Sequence, residues 1–168
     1  MSTPLTSTEV QTDSSLVTHA RIVVHTLGAV TPQTSDNHWS IYLTLPDNAG
    51  SIRINMRANF GDPTGILDWT KQTYTLANSA IQHWDFPLAL GTTVGHIARL
   101  IYGNRRERFD MSGGGSGCRW WVYTVVSDMT KAGYLPQDTP ARIWPEMLYR
   151  YHTQKSRLPL HMVHGTFY

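Results

Sequence analysis

Charged residues are scarce in this sequence, cysteine is almost absent, and long apolar runs are missing. Only 15% of the 168 residues are charged, which excludes a highly charged disordered chain and a coiled coil. Fourteen Lys and Arg against twelve Asp and Glu leave a net charge of +2, so nucleic acid is not expected as the main partner. No run of about 18 apolar residues occurs, so no membrane-spanning helix is predicted.

The single cysteine, Cys118, excludes an intramolecular disulfide and a cysteine-based zinc cluster. The eight histidines show neither an HxH nor an HExxH spacing, so neither a metal nor another cofactor is expected. The N-terminal residues have no charged or apolar region typical of a secretory signal, and the expected location is the cytoplasm. The expected partner is a small-molecule substrate, while the oligomeric state stays open.

The remaining composition is that of one globular domain. Hydrophobic residues make up 40% and aromatic residues 11%, which is enough for one substantial core. Residues 1–18 are rich in Ser and Thr and are expected to form a flexible segment. A single domain is then expected over residues 19–168.

The apolar periodicity predicts an α+β fold, in which an antiparallel sheet of about five strands packs against helices. The strands are predicted over residues 20–30, 37–45, 51–58, 65–76 and 81–88. The turn at 46–50 makes the second and third of these an antiparallel hairpin. The helices are predicted over 92–103, from Cys118 to a C-cap at Gly133, and over 139–152 with Thr139 as N-cap and an interruption at Pro145.

Cys118 is the position best suited to chemistry. It follows the glycine-rich run SGGGSG (112–117) and begins a helix, where free N–H groups and the positive dipole end favour a thiolate. A helix N-terminus changes the pKa by less than about one unit from a free thiol near ~8.5, so a nearby imidazolium is needed as well. The glycine run is also compatible with a phosphate site, although the Lys of a P-loop is missing.

His38 is the candidate imidazole. It lies on the polar face of strand 37–45, opposite the apolar stripe that begins at Trp39. Pairing residue 45 with residue 50 puts Asn55 opposite Ser40 and on the same face as His38, where a carboxamide can orient the ring. A register shifted by one residue would put Asn55 on the other face.

A second interpretation needs no nucleophile. A lone cysteine is most often a small buried apolar side chain, and a histidine at a strand start is often an ordinary packed residue. The protein is then a non-hydrolytic binding or cyclase-type domain for a small molecule. In that case Arg53, Arg57 and Arg119 are candidates for holding a carboxylate.

Two stretches resemble a known group of enzymes. HWSIYL (38–43), followed by a turn and a second strand with a polar residue, resembles the His-bearing strand of the circularly permuted NlpC/P60 papain-like enzymes. The lecithin–retinol acyltransferase group carries a similar His-Trp-x-Ile-Tyr strand and has its Cys later, at the start of a helix, as at Cys118. The set HWSIYL, GSIRINM and GCRWW is also similar to a fungal family of small domains without an assigned activity.

The resemblance implies a papain-like arrangement and a thiol-dependent acyl-group enzyme, either a hydrolase or an acyl or amide transferase. The implied roles are nucleophile for Cys118, proton shuttle for His38, orientation for Asn55, and substrate binding for Arg53, Arg119 and Trp120. The chain departs from the acyltransferases in having Gly-Cys-Arg-Trp-Trp at 117–121 and Asn55 where a histidine is common. It also lacks their C-terminal membrane helix, so a lipid substrate is not implied.

Overall fold

The computed structural model describes residues 2–31, 34–59, 61–111, 118–153 and 156–168, with side chains outside 27–36. The main strands are β1 (Ser2–Leu5), β2 (His19–Thr31), β3 (Thr34–Thr44), β4 (Ser51–Ala58), β5 (Gly65–Gln72) and β6 (Ala80–Pro87). They form one antiparallel sheet in the order β1-β5-β4-β3-β2-β6. The predicted α+β class is confirmed, with six strands in place of about five.

Four α-helices and four short strands also lie in the described part of the chain, together with two 3-10 turns. The helices are α1 (Ser7–Gln11), α2 (Val94–Gly103), α3 (Cys118–Lys131) and α4 (Thr139–Ile143). Strand β7 (Phe109–Asp110) pairs with β10 (Thr166–Phe167), and β8 (Tyr149–Tyr151) pairs with β9 (Arg157–Pro159). No described helix has the length and apolar character needed to cross a membrane.

The β3–β4 hairpin has the predicted register. Thr44 pairs with Ser51 and Ile41 pairs with Ile54, while the N–H of Leu45 donates to the carbonyl of Gly50 at 3.0 Å. Gly50 has φ +106, and a Cβ there would lie 2.2 Å from a backbone oxygen of β5. Only glycine fits this position of the turn, because other residues would be strained and would clash.

One face of the sheet packs against the helices. Alternate residues of β3 and β4 are buried there together with the apolar side of α3, as the alternation and the helical spacing predicted. These core residues are Trp39, Ile41, Leu43, Ile52, Ile54, Met56, Trp121, Val122, Val125, Val126 and Met129. Removing this apolar surface from water is the main contribution to the stability of the fold.

The opposite face is polar and lies beneath a crossover. Because β5 and β6 are separated by three strands in the sheet, residues 73–79 run across that face and bind it. Ser51 Oγ donates to the carbonyl of Tyr74 at 2.7 Å, and an Arg21 Nη donates to that of Thr75 at 2.7 Å. We call this the polar face; the strand residues that form it include Arg21, His25, His38, Ser40, Tyr42, Ser51, Arg53 and Asn55.

Residues 2–18 contain a strand and a short helix, whereas a flexible segment was expected over 1–18. Strand β1 pairs with β5 at the edge of the sheet, and α1 begins with a capping box between Thr6 and Glu9. Val10 of α1 is fully buried and belongs to the main core. Helix α1 forms here because the capping box is followed directly by an apolar residue, which is a local signal for the start of a helix. The Ser/Thr-rich composition of the segment does not show this signal.

The C-terminal helix is shorter than predicted. Helix α4 ends at Ile143, a 3-10 turn follows over Pro145–Leu148, and the chain then extends into β8. Asp138, rather than Thr139, occupies the N-cap. Pro145 ends the α-helix because it has no N–H to donate and its ring clashes with the preceding turn. The strand predicted over 65–76 likewise ends earlier, at Gln72.

Candidate active site

The N-terminus of α3 lies where β3 and β4 cease to pair. The last pair of the described ladder is Ile41 with Ile54, and α3 contacts both strands. Beyond this pair, a backbone N–H of β3 that points toward β4 has no strand partner. The N–H of Trp39 donates to the sulfur of Cys118 instead. The residue that begins α3 is thereby fixed at the open end of the hairpin.

Cys118 and His38 are hydrogen-bonded through their side chains. The sulfur therefore has two partners, the imidazole of His38 and the backbone N–H of Trp39. Cys118 is buried, with 9% of its surface exposed. The glycine-rich run at 112–117, for which a turn or a phosphate site was considered, lies outside the described residues.

Asn55 binds the other side of the His38 ring. Its carboxamide oxygen is hydrogen-bonded to Nε2 of His38. A carboxamide oxygen only accepts, so Nε2 carries the proton that it donates. Nδ1 is then the ring nitrogen left for the thiol of Cys118, as a proton shuttle between sulfur and substrate requires.

The electrostatics of the pair favour charge separation. Burial by itself raises the pKa of the Cys118 thiol, but the hydrogen bond and charge of His38 and the N–H of Trp39 outweigh it and lower that pKa. Burial likewise lowers the pKa of His38, but the Cys118 sulfur and the Asn55 carboxamide outweigh it and raise that pKa. Both changes stabilise a thiolate beside an imidazolium.

Arg119 binds backbone carbonyls of the protein itself, whereas the sequence predicted that it would contact the substrate. Its guanidinium is buried and donates to three backbone carbonyls of the C-terminal region, those of Met147, Leu160 (3.0 Å) and His161. These bonds tie residues that follow α4 to the first turn of α3. Both Nη groups of Arg119 are thus engaged within the chain.

Trp120 stacks within the protein. Its ring lies parallel to that of His164, with the centroids 3.9 Å apart, and also stacks with Tyr123 at 5.9 Å. One face of the indole is therefore covered by the C-terminal segment. Like Arg119, Trp120 joins α3 to that segment, next to the candidate nucleophile.

Arg53 lies on the polar face beside the candidate site. It is half-buried, pairs across the ladder with Tyr42, and its Cζ is 5.9 Å from the centroid of the Tyr42 ring. Its Nε is buried and has no hydrogen-bond partner among the described residues. Its charge acts on His38, whose pKa it lowers slightly against the larger effects of burial and Cys118.

Sequence reasoning missed His25, which lies directly opposite His38 on β2. The centroids of the two rings are 6.4 Å apart. The ring of His25 binds Ser40 Oγ at 2.8 Å and Ser79 Oγ at 2.9 Å. Burial, with smaller contributions from the charges of Arg53 and His38, lowers its pKa to about 3, so it stays neutral. The position of His25 beside His38 follows from the register between β2 and β3, which the sequence analysis did not predict.

The described residues contain no group of three or more His, Cys, Asp or Glu side chains positioned to hold a metal ion. The functional groups that the structure brings together are a thiol, an imidazole and a carboxamide, with a guanidinium nearby. This set supports proton transfer and nucleophilic attack by sulfur.

Fold and site together define an α+β domain with a Cys–His–Asn constellation at the open end of a hairpin. The chain belongs to the family described as a domain of unknown function, DUF7770, whose model matches residues 20–168. No curated protein and no solved structure matches it significantly. The comparisons therefore do not place the chain among the NlpC/P60 papain-like enzymes, and that resemblance rests on the site residues alone.

Proposed function

We propose that this protein is a thiol-dependent acyl-group enzyme, a hydrolase or an acyl or amide transferase acting on a small-molecule ester, thioester or amide. The observation that carries the proposal is the continuous contact from Cys118 through His38 to Asn55. The order of these residues along the chain, His38, Asn55 and then Cys118, supports it through the resemblance to the permuted papain-like enzymes.

In the first half-reaction the Cys118 thiolate attacks the carbonyl carbon of the substrate. The oxygen that becomes negative lies near the start of α3, where backbone N–H groups have no acceptor within the helix, and the N–H of Cys118 is the proposed donor. The tetrahedral intermediate expels the alcohol, thiol or amine, which takes a proton from His38. An acyl thioester on Cys118 remains.

In the second half-reaction an acceptor removes the acyl group. Water or an amine loses a proton to His38 as it attacks the thioester carbonyl, and the Cys118 thiolate leaves. Asn55 keeps Nε2 bonded through both steps, so that the same nitrogen of His38 faces the sulfur. Whether the acceptor is water or an amine distinguishes the hydrolase from the transferase.

Alkylation of Cys118 by iodoacetamide at a series of pH values tests the proposal. Because Cys118 is the only cysteine, the labelled mass reports on this residue alone. The folded protein is expected to react with an apparent pKa below that of free cysteine, near ~8.5. A His38→Gln variant is expected to shift the profile above that value, since the N–H of Trp39 is then the main group left to offset burial of the thiol.

The opposite result would identify the non-catalytic binding domain. In that case Cys118, which is buried, would react only after unfolding, and His38→Gln would leave its rate unchanged. A Cys118→Ala variant provides the unlabelled control. Circular dichroism of each variant shows whether the fold is retained.

A further inference from the structure

The charge of Arg53 is not neutralised within the described protein. The described ion pairs include none for Arg53, and its buried Nε has no hydrogen-bond partner there. Four other arginines each bind a carboxylate at 3.0 Å or less, namely Arg21, Arg57, Arg106 and Arg157. Partial burial of an unpaired cation costs free energy, and an anionic partner would recover it.

The position of Arg53 relates this unpaired charge to the candidate site. Arg53 lies two residues before Asn55 on β4, so both side chains emerge on the polar face, where His38 also lies. Arg21, the partner of Tyr42 on the other side of the ladder, is neutralised by Asp85. Arg53 is therefore a cation still available at the edge of the site.

The geometry points to Arg53 as the recognition residue for a carboxylate carried by the acyl substrate. This inference rests on the proposed function and specifies its substrate class. A guanidinium presents a planar fork of donors that matches the two oxygens of a carboxylate. Such an anion would also balance the positive charge that Arg53 and a protonated His38 place together on the polar face.

A series of matched alkylating reagents tests this inference. Glycine, β-alanine and 4-aminobutyrate are each converted to the N-iodoacetyl derivative, as the free acid and as the primary amide. In every reagent the Cys118 thiolate displaces iodide from the same CH2 group, while the chain length places the carboxylate at different distances from the sulfur. The readout is the ratio of the acid rate to the amide rate at each length.

The wild-type protein is expected to react faster with the acid than with the amide at one of these lengths, by about tenfold, the scale of a charged hydrogen bond. Arg53→Gln is expected to reduce this ratio to near one; because the acid and the amide react with the same thiolate, the ratio divides out any change in the reactivity of Cys118 itself. Arg57→Gln, which removes the same charge from the same strand but from a residue already paired with Asp68, is expected to keep the wild-type ratio. Arg53→Lys retains the charge without the fork, and an intermediate ratio is expected.

The outcomes separate the inference from the proposed function. If the amides label Cys118 with a lowered apparent pKa but the acid-to-amide ratio is the same in wild type and Arg53→Gln at every length, the substrate inference is overturned and the enzyme proposal stands. An equal loss of the ratio in Arg57→Gln also overturns it, because general charge would then explain the preference. If neither reagent form labels the folded protein, the proposed function itself fails.

Discussion

The His38 ring and the Asn55 carboxamide are hydrogen-bonded across the β3–β4 hairpin, 17 residues apart in the sequence. The bond forms just beyond the last ladder pair, Ile41 with Ile54, where the two strands no longer bind each other directly. A side-chain bond therefore continues the hairpin beyond its backbone ladder and holds the imidazole against Cys118.

Changes at Asn55 are expected to shift the titration of Cys118 in opposite directions. Asn55→Ala removes a hydrogen bond that raises the pKa of His38, so the imidazolium that stabilises the thiolate is less favoured and the apparent pKa of Cys118 rises. Asn55→Asp places a carboxylate against the imidazolium and is expected to raise the pKa of His38 further. The pH profile of iodoacetamide labelling measures both. Equal profiles for the two variants would contradict the orienting contact.

Cys118→Ser and Cys118→Ala are expected to fold with nearly wild-type stability and to lose all turnover of a chromogenic ester such as 4-nitrophenyl acetate. A serine hydroxyl has the same two partners as the sulfur, His38 and the N–H of Trp39, so its burial leaves no unsatisfied group. Thermal unfolding and ester hydrolysis are measured on both variants. A serine variant less stable by about 1–3 kcal/mol, with activity retained in the alanine variant, would show that Cys118 is only a packing residue.

His25 is expected to make the protein sensitive to acid. Its folded pKa is about 3 against 6.5 unfolded, so below about pH 6.5 the unfolded chain takes up a proton that the folded chain does not. The free energy of unfolding therefore decreases as the pH falls from about 6.5 to 3, by up to about 1.4 kcal/mol per pH unit. Urea unfolding at several pH values measures this slope.

His25→Asn is the matched variant for that experiment. Asparagine does not titrate in this range, so the contribution of residue 25 to the acid slope should vanish, whatever the variant's stability at neutral pH. His38 acts in the opposite sense, because its raised folded pKa contributes stability below the unfolded value that is lost as the pH rises. An acid slope unchanged in His25→Asn would contradict the buried neutral state.

Arg119→Met is expected to release the C-terminal region from α3. The substitution keeps much of the side-chain length but removes the bonds to the carbonyls of Met147, Leu160 and His161. A loss of about 2–4 kcal/mol in unfolding free energy is expected, since these are charged hydrogen bonds in a buried position. Thermal unfolding measures the loss, and limited proteolysis shows whether cleavage moves to residues 156–168.

Arg119→Lys provides the comparison for that variant. A lysine keeps the charge but lacks the planar fork that reaches several carbonyls at once, so it is expected to restore only part of the stability. If Arg119→Met instead keeps full stability and only weakens binding of an anionic ligand, the substrate role expected from the sequence would be correct.

The local sequence pattern determined the β3–β4 hairpin, and with it the relative positions of His38 and Asn55 in the candidate site. Strict alternation in β3 and β4 assigned each side chain to a face, and the turn closed by Gly50 set the register, because a strand has a period of two residues. From these two features alone, Asn55 is placed beside His38. The apolar spacing after Cys118 likewise located α3 and its buried side.

The long-range contacts were decided only by the tertiary structure. Where α3 begins relative to β3 depends on how the whole helix packs on the sheet, so the bond between Cys118 and His38 has no local signal. The same holds for Arg119, whose three acceptors lie 28 to 42 residues away. Pairing of β1 with β5 is a further contact between distant parts of the chain that the polar composition of residues 1–18 does not reveal. The periodicity of the sequence assigns residues to helices or strands and to their faces. Burial of those apolar faces against one another then decides which helices and strands are in contact.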